Sequence, residues 1–156
     1  METSPFLAPT RGEWVMLLRL VFAMLAGAVI GWNRHREGKP AGIGTHALVG
    51  LGAGLFAAAA ILAGPNHLDA LSRAIQGVAT GVGFLGAGEI FRDPGGNRVT
   101  GLTSAAALWV TASLGLVIVC GSFFAAFSAA LLVLLVLEVA PRIERRFPRR
   151  GSAGPG

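Results

Sequence analysis

The chain has 156 residues, 53% of them hydrophobic and only 13% charged, with a mean hydropathy of +0.65. A soluble domain of this length must cover its surface with polar groups, and this one has too few, so it reads as a single-domain integral membrane protein. The net charge is +5, and the single cysteine, Cys120, excludes an internal disulfide.

Residues 1–13 form a short polar tail. METSPFLAPTRGE lacks a basic excess and Arg19 interrupts the first apolar run, so a cleaved signal peptide is not expected. The first span is placed at 14–32. Trp14 and Trp32 bracket it, roughly 27 Å apart along a helix at about 1.5 Å per residue, which suits two interfacial anchors. Arg19 is expected to snorkel outward. Gly27 and Gly31 form a G-x-x-x-G pair, which lets helix backbones approach where lipid gives no hydrophobic drive to associate.

The loop RHREGKP follows, with Arg34 and Arg36. The second span is placed at 44–63 and closed by GPNHLD. It opens on Thr45 and His46, and Gly50, Gly52 and Gly54 are small packing positions. His46 reads as a hydrogen-bonding group at a helix end, without zinc-type spacing around it.

The third span, 73–91, contains GVATGVGFLGAGEI. Gly81, Gly83 and Gly86 match G-x-G-x-x-G literally, but a dinucleotide site needs a preceding strand, and this match lies inside an apolar span. Gly77, Gly81, Gly83, Gly86 and Gly88 are therefore read as helix-packing positions, with local bending near Glu89 as the alternative. Glu89 lies near the span's end. Its expected partner is Arg92 or a basic group of the first loop.

RDPGGN ends that span. The fourth, 101–120, places Thr103 and Ser104 at its start, and Trp109 near its middle is expected to pack inside. The fifth, 122–140, follows after almost no loop, so the two form a hairpin. Pro141 should close it, with Glu138 paired to Arg142. Residues 141–156 are a basic, then Gly/Pro-rich, tail.

Ten of the 13 bases fall in the first loop, the third loop and the C-terminal tail. Arg11, Arg19 and Arg73 fall on the other side. An odd number of spans keeps the ten together, in the cytoplasm, with the N-terminus outside. The fold class is all-α, a polytopic bundle of about five transmembrane helices.

Three blocks, KPAGIGTHALVGLGAGLF, GVGFLGAGEI and GLTSAAALWVTASLGL, resemble in order and spacing the signature blocks of the MgtC/SapB family. The resemblance covers roughly Leu18 to Ala140, the transmembrane part. It implies a multi-pass protein of the bacterial inner membrane, linked to growth in low magnesium and to survival inside host cells. A regulator or accessory factor for ion homeostasis is the leading reading, a cation transporter or channel is the rival, and a structural anchor is the third. Some relatives carry a further C-terminal soluble domain, and functions needing it are not carried over.

Two departures stand out. The family usually has an acid-base pair after the first span, G-x-E-R, and an Arg before Thr-His. Here Asn33 precedes Arg34, and Gly44 precedes Thr45. An ion pair between positions 33 and 44 in relatives would explain their joint loss. Glu89 is then a substitute acid for Arg34 or Arg36.

The expected functional set is a polar cluster at one face: Arg34, Arg36, Thr45, His46, Glu89, Thr103 and Ser104. No catalytic residue, metal ligand or cofactor is expected, and no enzyme activity. The expected partners are the lipid bilayer, other membrane proteins and a second copy of the chain, but not nucleic acid.

Overall fold

The computed structural model describes residues 10–92 and 99–146. Most of the expected N-terminal tail, residues 93–98 of the expected third loop and the end of the C-terminal tail lie outside the described residues. Five helices follow one another: α1 (Arg11–Arg36), α2 (Ile43–Ile61), α3 (His67–Gly88), α4 (Leu102–Val119) and α5 (Phe123–Arg146). Between α3 and α4, β1 (Phe91–Arg92) pairs antiparallel with β2 (Val99–Thr100). The protein is an all-α membrane bundle, and α1, α2, α4 and α5 are each long and apolar enough to cross a bilayer.

Helix ends depart from the expected spans in three places, the first being α1, which runs past 32 to Arg36. α5 runs through Pro141 to Arg146. Proline breaks a helix by removing one N–H and crowding the carbonyl four residues back. Here the i,i+4 Arg142–Glu138 ion pair spans the proline. α3 starts earlier than expected, and its first ten residues, HLDALSRAIQ, mix polar and apolar groups. It remains helical to Gly88, so the glycine-rich stretch does not unwind.

α4 is the hub, packing against all four other helices. It is apolar on every side, so its sequence does not show which face turns inward. Leu108, Ala112, Leu116 and Val119 form a core with Ala53 and Ala57 of α2. Trp109 is turned outward and is 50% exposed, contrary to its expected place inside. Residues one position apart on a helix point about 100° apart, and Leu108 takes the inward direction.

Glycine contacts fix the register. A Cβ on Gly27 would lie 2.2 Å from the His46 carbonyl oxygen, and one on Gly31 would lie 2.7 Å from that of Gly42. α1 and α2 are thus antiparallel, with backbones touching. A Cβ on Gly115 would lie 2.2 Å from the Gly50 carbonyl oxygen, and one on Gly54 would lie 3.1 Å from Val119. These pairs step together, so α2 and α4 run parallel.

That parallel pair decides the path of α3. α2 ends at one face and α4 begins at the other, so α3 must return across the bundle. Its 22 residues span roughly 33 Å at about 1.5 Å each, enough for the hydrocarbon core. The α1–α2 loop, the β hairpin and the end of α5 therefore share one face. Arg34, Arg36, Lys39, Arg92, Arg142, Arg145 and Arg146 all lie toward that basic face.

The expected packing glycines divide into two groups. Gly27, Gly31 and Gly86 sit against neighbours, Gly86 meeting Ala105 at 3.4 Å from an added Cβ. Gly77, Gly81, Gly83 and Gly88 have nothing within 4 Å of an added Cβ. They are small residues on an open face, not close-packing positions.

Candidate functional site: a buried polar group at the basic face

Arg34 sits seven residues after Gly27 and three after Gly31, on the stripe of α1 that faces α2. Because α1 continues to Arg36, that stripe carries Arg34 into the protein, where it is 1% exposed. Its Nη1 donates to Glu37 Oε2 at 2.8 Å, while its Nε is buried without a partner. The i,i+3 spacing of Arg34 and Glu37 was visible in the sequence, but Glu37 was not singled out.

His46 is fully buried. Its Nδ1 lies 3.0 Å from the Gly42 carbonyl oxygen. A carbonyl only accepts, so Nδ1 carries the proton in this contact. In the neutral ring Nε2 is then left with a lone pair, and Nε2 is buried without a partner. The helix register sets His46 level with Gly27 and Thr111, about 10 Å inward of Ser104 by seven residues at ~1.5 Å each. The ring is turned back toward the basic face through its contact with Gly42.

Glu89 caps α3 and is half-buried, with Oε2 enclosed and unpartnered. Among the described residues no ion pair joins it to Arg34, Arg36 or Arg92, contrary to expectation. Gly101 makes this placement possible. Its φ is +90°, and an added Cβ would lie 1.7 Å from the Glu89 carbonyl oxygen, so only glycine fits there.

The expected cluster is therefore brought together in part. Arg34, His46 and Ser104 are buried and Glu89 is half-buried, all toward the basic end. Arg36, Thr45 and Thr103 are exposed and stand outside the group. Positions 33 and 44 do not meet. Asn33 Nδ2 donates to Glu138 Oε2 of α5 at 3.4 Å, and Gly44 has nothing within 4 Å of an added Cβ. Among the described residues no group of three or more His, Cys, Asp or Glu side chains is arranged to hold a metal ion.

Residues 20–146 match the model of the MgtC family. The chain belongs to the MgtC family. It is 47% identical over 146 residues to protein SrpB of Synechococcus elongatus, covering 86% of this chain and 80% of SrpB. It is 39% identical over 132 residues to YhiD of Escherichia coli K12, which is named as a candidate magnesium transporter, covering 79% of this chain and 59% of YhiD. It is 38% identical over 133 residues to protein MgtC of Salmonella typhimurium, covering 83% of this chain and 55% of MgtC. The chain thus spans a little over half the length of YhiD and MgtC. No solved structure matches it. The family match takes in Arg34, His46, Glu89 and Ser104 together.

Proposed function

We propose that this MgtC-family chain serves magnesium homeostasis in the bacterial inner membrane as a regulator or accessory factor that contacts other membrane proteins, with its basic face in the cytoplasm. The observation that carries this reading is that, among the described residues, enclosed charge sits only toward the two ends of the bundle, Arg34 and Glu89 at the basic end and Arg19 at the other, with none between. Arg34 and the Glu89 carboxylate lie near the basic face, with His46 just beneath. Deeper in, the core is Ala53, Ala57, Ala112, Leu116 and Val119. Thr111, buried and level with His46, has its hydroxyl already donating to the Ala107 carbonyl oxygen at 2.8 Å.

A hard cation such as Mg²⁺ keeps several waters and takes carboxylate neighbours. A core lined by methyl and isobutyl groups supplies neither. A polar group under a cytoplasmic face instead suits a site that changes state and is read by a partner. The rival reading, a magnesium transporter, draws on the name that YhiD carries.

The test is complementation of a strain deleted for its own relative, grown in low magnesium. His46→Ala and Glu89→Ala should each abolish rescue while protein level in the membrane stays normal. Full rescue by both variants would leave the polar group dispensable and favour a structural anchor.

A further inference from the structure

A cleft of roughly 880 Å³ opens between α2 and α3 on the outer surface of the bundle. It runs from Thr45 and Leu85 at the basic end to Phe56 and Arg73 at the other. Its cause is missing side chains. Gly52, Gly77 and Gly81 line it, and a Cβ at any of them would meet nothing within 4 Å. The two helices therefore face each other across a trough instead of interlocking.

Three features identify what fills it. The wall is almost wholly apolar and lies at membrane depth, so a hydrocarbon occupant is required. The trough follows α3 for twelve residues, about 18 Å at ~1.5 Å per residue. That approximates one leaflet of a ~30 Å hydrocarbon core, whereas a crossing partner helix needs the full thickness. The third feature is Arg73, the cation that stands at one end of the trough. It is exposed, and among the described residues it has no ion pair. An unpaired cation two turns into a membrane helix calls for an anion, and its long stem lets the guanidinium reach the headgroup level.

We propose that the α2–α3 trough is a binding site for an anionic phospholipid, with an acyl chain along Gly77 and Gly81 and the headgroup phosphate on Arg73. Its headgroup end, at Arg73, is at the face opposite the polar group, and the site is independent of the regulatory reading.

The test is native mass spectrometry of the full-length protein released from bilayers holding equal phosphatidylglycerol and phosphatidylcholine. The wild type should retain one phosphatidylglycerol per chain in preference to phosphatidylcholine. Arg73→Gln should lower retained phosphatidylglycerol roughly fivefold, the effect of one basic residue at an anionic lipid surface. Gly77→Leu and Gly81→Leu each fill open space, so the helices need not move, and both should lose lipid of either headgroup. Equal retention of the two lipids by the wild type would overturn the proposal, as would an unchanged preference in Arg73→Gln. A dimer that Gly81→Leu converts to a monomer would assign the trough to a second copy and overturn it also.

Discussion

Arg19 lies little more than two turns into α1, and its Nη1 donates to the Val119 carbonyl oxygen at 2.8 Å. The expected snorkel toward the membrane surface is replaced by a tie to protein. Val119 is the last residue of α4, where carbonyls lack helical partners and the dipole favours a cation. The guanidinium also flanks Gly121, whose φ of +91° turns the chain into α5. One side chain thus fixes α1 against the α4–α5 hairpin. Arg19→Ala should cost about 1.5–3 kcal/mol, the range for a hydrogen bond to a charged group. Unfolding in mixed detergent micelles measures it, and a change below about 0.5 kcal/mol would show the contact to be idle. Hydropathy marked Arg19 as a charge near a span end, but not its acceptor 100 residues away. The same limit applies to Asn33. Its departure from the family pattern was plain in the sequence, yet its contact with Glu138 needed the placement of α5 beside α1.

Among the helices, glycine spacing was a good guide for α1 and a poor one for α3. Gly27 and Gly31 do bring α1 onto the α2 backbone. Gly77 and Gly81 have the same spacing and touch nothing. A G-x-x-x-G pair states that a flat face exists, not which partner covers it. Gly115 stands alone in α4 and so forms no G-x-x-x-G pair, although it makes as close an approach as any glycine within a helix. Gly115→Ala should destabilise by at least the ~1–3 kcal/mol typical of overpacking, because the added methyl meets the Gly50 backbone. Gly81→Ala should be neutral or stabilising by up to about 0.5–1 kcal/mol, the usual gain from glycine to alanine within a helix. Detergent unfolding of the two variants side by side checks the contrast, and equal effects would refute the assigned helix faces.

For the molecule as a whole, the odd number of crossings follows from the parallel run of α2 and α4. It does not depend on the hydropathy of α3, which falls short of the other four helices. The basic loops and the proposed cytoplasmic face then lie together, while Cys120 is exposed at the opposite end. A membrane-impermeant thiol reagent added to spheroplasts should label Cys120. In a Cys120→Ser background, a cysteine placed at Lys39 should react only after the membrane is opened. The reverse pattern would invert the topology. Membrane class, helix count and the polar residues were legible in the sequence, since each rests on local composition. The depth of His46 and the exposure of Trp109 were not, because both depend on how α2 and α4 are offset and turned.

The central claim is that the buried polar group belongs to a non-conducting bundle. Magnesium entry into liposomes holding only the purified protein tests it most directly, read with a trapped magnesium-sensitive dye. The account predicts a rate equal to that of protein-free liposomes, since among the described residues no buried polar side chain continues from His46 and Thr111 through the Ala112–Val119 core. Saturable entry that disappears with His46→Ala would contradict it and make this chain the transporter itself.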